Sequence, residues 1–299
     1  MGGALRLSPR NTRHMSARPL VSDGFEAFTL EHAGLLALLL LGAVVLGRVG
    51  SGQRTWEGEE RFRRGFAILI PVFTVPFQVL QLLPDDFTLG TSLPLQICDL
   101  SWMVAVWALW TRDSRAVALL YFWGLTLTVQ AAITPSLDQT FPDPRYFMFW
   151  GMHFLTIWAA VYLVCLAGGP SWRGYRLTFA TTAVWAAAVL AFNAATGTNY
   201  GYLSRKPETS SLLDALGPWP AYVGVEIVIL AVGWALMTWP WVAAGRTAPE
   251  RPSAGGRPLR QRLRRAIPPG SSAGPAPAAD PDEHASGEEG AEARRHQER

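Results

Sequence analysis

The sequence predicts an all-α membrane protein, a bundle of seven transmembrane helices with disordered N- and C-terminal tails. Three observations carry that prediction. Only 16% of the 299 residues are Asp, Glu, Lys or Arg, against about 25% in ordinary soluble domains. The deficit is uneven: long stretches between Phe28 and Ala243 are almost uncharged, while Met1 to Ser22 and Gly245 to Arg299 hold much of the charge. Seven apolar stretches in the uncharged region are long enough to cross a hydrocarbon core, which takes about 20 residues. A soluble middle domain is excluded.

In chain order the expected spans are 29–47, 65–83, 92–110, 116–134, 146–166, 177–197 and 220–243. Trp110, Tyr146, Trp172, Tyr200, Tyr202, Trp219 and Trp241 fall near their ends, as residues of interfacial belts do. No cofactor is needed to account for the abundance of Trp. The first apolar run lacks a small-residue cleavage pattern after a short core, so it reads as a retained helix instead of a signal peptide. Pro71 and Pro76 are expected to kink the second span.

The spans divide the chain into a tail at 1–27, a membrane domain at 28–244 and a second tail at 245–299. The C-terminal tail is rich in Arg, Pro, Ala and Glu and nearly free of aliphatic residues, so it cannot bury enough apolar area to offset its ordering entropy. Its basic part, Arg257 to Arg265, is expected to lie against anionic lipid headgroups. Loop charge sets the orientation. With seven spans, and counting up to Arg265, sixteen Arg and Lys residues fall on the side of the C-terminal tail against seven on the other. That places the N-terminus outside and the C-terminus in the cytoplasm of a cell membrane.

Depth follows from the helical rise of about 1.5 Å per residue. On that arithmetic Cys98 lies roughly 9 Å inside the third span, His153 roughly 10 Å inside the fifth and Glu226 roughly 9 Å inside the seventh. Gln78, Gln130, Asn193, Glu31 and His32 add polar groups to the same outer half, and the inner half holds almost none. Intramembrane ionisable groups are costly and usually face a bundle interior or a wet cavity. For Glu31 and His32, near a span boundary, contact with interfacial water is the simpler reading.

Cys98 and Cys165 are the only cysteines and lie near opposite faces of the membrane, too far apart for a disulfide. Cys165 reads as a small packing residue. Cys98 sits among polar neighbours in Leu93-Pro94-Leu95-Gln96-Ile97-Cys98-Asp99-Leu100, and His153 is the histidine well inside a span. A thiol becomes a nucleophile when a base favours its thiolate, so Cys98 and His153 form a candidate nucleophile and base. Lys206 is the only lysine and falls in the loop before the last span, which excludes a retinal Schiff base there. Cys and His are too few for a zinc site, and neither a phosphate loop nor a nucleic-acid patch is present. No metal or cofactor is expected, and oligomeric state carries no sequence signal.

Several motifs together resemble the YwaF-type bacterial integral membrane proteins, which are similar to the animal transmembrane protein 164 family. They are Leu93 to Leu100; Thr134-Pro135-Ser136-Leu137 with Phe141-Pro142-Asp143-Pro144-Arg145-Tyr146; Gly151-Met152-His153; Asn199-Tyr200-Gly201-Tyr202-Leu203; Lys206-Pro207; Ser211-Leu212-Leu213-Asp214; and Gly217-Pro218-Trp219-Pro220. The likeness spans about residues 30–240. It implies phospholipid acyl transfer through an acyl-Cys98 intermediate with His153 as its partner, and a phospholipid or lysophospholipid as substrate. Gly201 departs from the family pattern, which carries a larger residue there. Gln96, Asp99 or Asn199 would orient the pair or stabilise an oxyanion, and Glu226 would line the pocket. Arg205 and Lys206 would either hold a lipid phosphate or remain solvated loop charges. Two other classes stay open: a seven-helix ligand carrier or sensor whose Cys98, His153 and Glu226 merely line a pocket, and a lipid hydrolase with the same pair.

Overall fold

A computed structural model describes residues 24–55, 57–207 and 212–249. Among them the chain is helical, apart from one isolated parallel bridge between Gly169 and Thr247. The helices are α1 (Leu30–Gly52), α2 (Glu59–Gln81), α3 (Ile97–Thr111), α4 (Ser114–Phe122), α5 (Thr128–Ile133), α6 (Pro144–Ala167), α7 (Trp172–Thr196) and α8 (Ala221–Ala243). A π turn, Trp123–Leu127, joins α4 to α5 into one rod. Counted that way there are seven rods, six of them long and apolar enough to cross a membrane; the exception is α3, with 15 residues. Of the predicted tails at 1–27 and 245–299, residues 1–23 and 250–299, including Arg257 to Arg265, lie outside the described residues.

Local chemistry sets the helix ends. Thr29, Asp113, Asp143 and Ser171 accept backbone N–H groups of the first turns of α1, α4, α6 and α7, satisfying donors that have no intrahelical partner. Pro144 opens α6, where its missing N–H is not needed. Both Pro71 and Pro76 lie inside α2.

The most buried rod is α6, which packs against α1, α2, α3 and α4. Along α1 the contact is close because Gly42 lies against the Trp158 ring; any Cβ at that position would overlap it. Small residues let membrane helices approach in this way. The Trp158 indole N–H also donates to Leu39 O at 2.8 Å.

The third element departs from the sequence expectation. A span was expected at 92–110, yet the helix starts only at Ile97. Pro94 offers no N–H and disfavours helical backbone at the residue before it, and Asp99 accepts the Gln96 N–H at 3.2 Å to cap the helix from within. Hydropathy could not register this start, because Leu93, Leu95 and Ile97 keep the run apolar. Cys98 therefore lies in the first turn of α3, not six residues inside a helix. The chain still retraces α2: Gln78 donates to Ser92 O at 3.1 Å, and Arg63 donates to the carbonyls of Leu109 and Trp110.

Arg61, Arg63 and Arg64, read from the sequence as loop charges, belong to α2. Arg63 is 6% exposed, pairs with Glu59 at 2.6 Å, and shares that carboxylate with Arg112 at 3.6 Å. This end of the bundle, expected to be nearly free of buried polar groups, thus holds a buried ionic cluster joining α2 to the end of α3. At the other terminus of the domain the chain remains attached past Gly245: Gly169 N–H donates to Arg246 O at 3.1 Å, and Ala248 N–H to Gly169 O at 2.8 Å.

Removing one member of a buried ion pair leaves its partner uncompensated. Arg63→Ala is expected to cost about 3–5 kcal/mol, read as a lowered thermal unfolding midpoint of the detergent-solubilised protein; Arg64→Ala, at an exposed pair, should leave the midpoint nearly unchanged.

Candidate functional site

The residues 88–96 are not helical, and part of this stretch is buried, Ser92 being 1% exposed. Backbone in such a place needs partners from the protein itself, and side chains from three helices and a loop supply them. The Tyr200 hydroxyl donates to Leu89 O at 2.7 Å and accepts the Leu93 N–H at 3.0 Å. Gln78 serves Ser92 O, the Trp185 indole N–H donates to Leu95 O at 3.0 Å, and Asp99 takes the Gln96 N–H. Tyr200 is held in turn by Asn193 of α7, whose Oδ1 accepts from Tyr200 N and whose Nδ2 donates to Tyr200 O, each at 2.9 Å. The loop before α3 and the turn before α8 are thereby locked together.

This lock sets the position of Cys98. Gln96 Oε1 accepts the Gly201 N–H at 2.8 Å, so the 200–202 turn sits on the start of α3. Gly201 has a φ of +67°, and a Cβ there would come within 2.6 Å of the Trp185 ring. The departure from the family pattern noted in the sequence is thus tied to Trp185: the space a side chain would need is filled by indole. Tyr202 follows with its backbone O accepting the Tyr222 hydroxyl and its own hydroxyl bonded to Ser136. Burial pushes the Tyr202 phenol above its ordinary value; the bond to Ser136 opposes this, while Cys98 and Asp138 nearby add to it. The phenol is therefore a neutral O–H group at physiological pH.

Above α3 and α6 a cavity of about 640 Å³ opens. Cys98, His153, Gln96, Asp99 and Glu226 all line it, so five of the seven residues singled out in the sequence are brought to one space. Asn199 and Lys206 are not among its lining residues. Asn199 organises its own loop, accepting from Ser204 N and Arg205 N and donating to Arg205 O. Lys206 is engaged by Asp214 at 3.8 Å and lies over the Tyr222 ring. The cavity has instead Arg145, which also pairs with Asp86 at 3.9 Å.

His153 has the geometry of a base. Its Nδ1 lies 2.6 Å from Phe149 O; a carbonyl only accepts, so Nδ1 carries the proton. The other nitrogen, Nε2, is then a lone-pair acceptor, and it is buried without a hydrogen-bond partner. The ring stacks on Phe149 with centroids 4.2 Å apart, which fixes its plane. His32, by contrast, is fully engaged: Nδ1 accepts from Phe28 N and Nε2 meets Ala132 O, both at 2.9 Å. Glu31 accepts the Tyr146 hydroxyl at 2.7 Å. These two shallow groups are structural, and no cluster of metal-ligating side chains occurs among the described residues.

Tyr202, Ser136 and Arg145 are site residues that sequence reasoning did not single out. Ser136 and Arg145 lie inside quoted motifs but look like ordinary loop residues, and Tyr202 looks like an interfacial aromatic. The family model for the TMEM164 family matches residues 27–238, a stretch that contains every residue lining the cavity. No curated protein and no solved structure matches the chain.

Gly201→Ala must relieve both a left-handed φ and an overlap with Trp185. It is expected to destabilise the protein by more than about 1 kcal/mol and, by loosening the turn that covers Cys98, to speed alkylation of that thiol, measured by intact-protein mass spectrometry against time.

Proposed function

The chain belongs to the TMEM164 family, and from that premise we propose that it is a multi-pass membrane acyltransferase working through an acyl-Cys98 intermediate. The observation that carries the reading is that His153, whose buried Nε2 has no hydrogen-bond partner, lines the same cavity as Cys98. A nucleophile and a base that share one cavity, with the base held in one tautomer, are what thiol-dependent acyl transfer needs.

In the first half-reaction His153 Nε2 takes the proton of Cys98, and the thiolate attacks the ester carbonyl of a phospholipid. The C–O bond breaks, the lysolipid alkoxide leaves with the proton from His153, and the acyl group stays on Cys98 as a thioester. In the second, His153 takes the proton of an acceptor lysolipid hydroxyl, which attacks the thioester; the C–S bond breaks and the thiolate recovers the proton. The acyl group has moved and the enzyme is unchanged. Cys98 stands in the first turn of α3, where helical N–H groups and the helix dipole favour developing negative charge. Tyr202, a neutral O–H group beside Cys98, is suited to steady the oxyanion. Gln96 and Asp99 act through position, by holding the turn and the helix start. Arg145, which lines the cavity, is the cation suited to a lipid phosphate; Lys206, absent from the lining, is less so.

Seven crossings complete the reading. The 92–111 stretch retraces α2 from Gln78 to Arg63, which supports a third crossing made of five non-helical residues and the short α3. An odd count with the arginine bias supports an N-terminus outside, a cytoplasmic C-terminus, and a site facing the outer leaflet. The motif order supports the YwaF-type bacterial branch of the family, and the basic Arg257 to Arg265 segment suits anionic lipid headgroups.

Cys98→Ala should abolish the thioester, and His153→Ala should slow acyl exchange by about 10²–10⁴-fold, measured by mass spectrometry of lipids after incubation of the purified protein with a phospholipid and an isotopically labelled lysophospholipid. Unchanged exchange in either variant would sink the mechanism. Free fatty acid without a new acylated lipid would make the protein a hydrolase on the same pair. No covalent adduct on Cys98 in either assay would leave the carrier reading, with Glu226 as a pocket carboxylate.

A further inference from the structure

The cavity does not end where the reactive pair ends. On α3 its lining stops at Asp99 and on α6 at His153, but on α7 and α8 it continues to Phe179 and Trp234. Both of these helices run inward from the turn that carries Tyr202, one arriving at it and the other leaving it. Trp185 is level with the start of α3, since its indole reaches Leu95 O; Phe179 lies six residues deeper, roughly 9 Å along the helix. On α8, Trp234 lies eight residues, about 12 Å, below Glu226. The lining of this extension is apolar, with Ala183, Ile227 and Leu230 beside the two rings. Thr182, the polar exception, has its hydroxyl engaged by the Trp123 indole and Thr178 O.

Two braced rings stand at the deep end of the lining. The Phe179 and Trp234 rings meet edge to face with centroids 6.4 Å apart. Trp234 is 1% exposed, lies 5.1 Å from the Phe122 ring, and donates its indole N–H to the Thr126 hydroxyl at 3.1 Å. Thr126 belongs to the π turn, and its own hydroxyl donates back to Phe122 O. A π turn inside an α-helix frequently marks a functional position; here it supplies the acceptor that stops the indole from swinging aside.

We propose that this apolar extension between α7 and α8 seats the hydrocarbon of the acyl chain attached to Cys98, and that Trp234 with Phe179 sets the longest chain accepted. The proposal rests on the reading of Cys98 and His153 as the reacting pair. An apolar pocket that leads away from a nucleophile and ends at two braced rings fits a chain with one reactive end and one inert end. A wall that cannot yield discriminates against added methylenes by roughly 10-fold or more each.

The test uses the purified full-length chain in two assays. In the first, it receives an equal mixture of phospholipids that differ only in saturated chain length, from laurate to arachidate, with one lysophospholipid as acceptor. Trp234→Ala is expected to shift the transferred chains toward longer members by about 10-fold or more, and Ala183→Trp, which fills the pocket from α7 and leaves the wall intact, to shift them toward shorter ones. In the second, free fatty acids of the same lengths displace a fluorescent fatty acid from the Cys98→Ala protein, with and without each change. Transfer that proceeds with an unchanged length profile in both variants overturns the chain seat and leaves the acyltransferase reading standing. A length limit in displacement that moves with Trp234 or Ala183, in a protein whose wild type forms no Cys98 thioester, upholds the seat and overturns the reaction. Should Trp234→Ala not fold, Ala183→Trp alone decides: no shift in either assay overturns the seat.

Discussion

Everything near Cys98 and His153 depends on one obligation, that the non-helical backbone between Thr88 and Gln96, buried at Ser92, find hydrogen-bond partners. A helix would have satisfied that backbone internally, but Pro94 prevents one. The debt is discharged by Gln78, Tyr200, Trp185 and Asp99, side chains drawn from α2, the turn before α8, α7 and α3. Each is therefore held in place by the loop it serves. The same bonds that make the loop tolerable bring α7 and the 200–202 turn over the start of α3, and a cavity is what remains between them and α6.

The two ends of the bundle divide the work. At one end Glu59, Arg63 and Arg112 tie the start of α2 to the end of α3, and the buried α6 gives every neighbour a common wall. At the other end polar groups are more numerous but leave room, and His153 Nε2 stays without a partner. Buried polar atoms are nearly always satisfied in folded proteins. His153 Nε2 is one of seven unpartnered side-chain atoms of this kind among the described residues; it is set apart by belonging to a residue that lines the cavity and whose other nitrogen is locked.

Hydropathy made most of the fold legible, because a helix that must cross hydrocarbon has little freedom of length: six of seven expected stretches coincide with helices long enough to cross, their ends differing by six residues or fewer. It failed at the third, where Leu93 and Leu95 are apolar but not helical and only a short helix follows. It also misplaced Arg63, since a guanidinium beside a membrane boundary looks like a loop charge until its partners, Glu59 and two carbonyls at the end of α3, are seen. The candidate site was legible through its chemistry: Cys98 and His153 stood out in the sequence, and both line the cavity. Tyr202 was not, because its position comes from bonds between residues about a hundred positions apart, such as Gln96 with Gly201. Asn199 and Lys206 stood in the right motif and serve their own loop instead.

The π turn between α4 and α5 has a geometric side as well. Such a turn amounts to one additional residue in an otherwise regular helix, and each residue turns an α-helix by about 100°. Everything from Thr128 to Thr134 is therefore rotated by that angle relative to a plain continuation of α4. Gln130, Ala131 and Thr134, which line the cavity, all lie beyond that rotation. In this rod the facing of the half after the turn is set by residue count, independently of which side chains it carries: excising a single residue between Trp123 and Leu127 would keep the composition apolar and the helix long enough to cross, while turning its polar stripe to other neighbours.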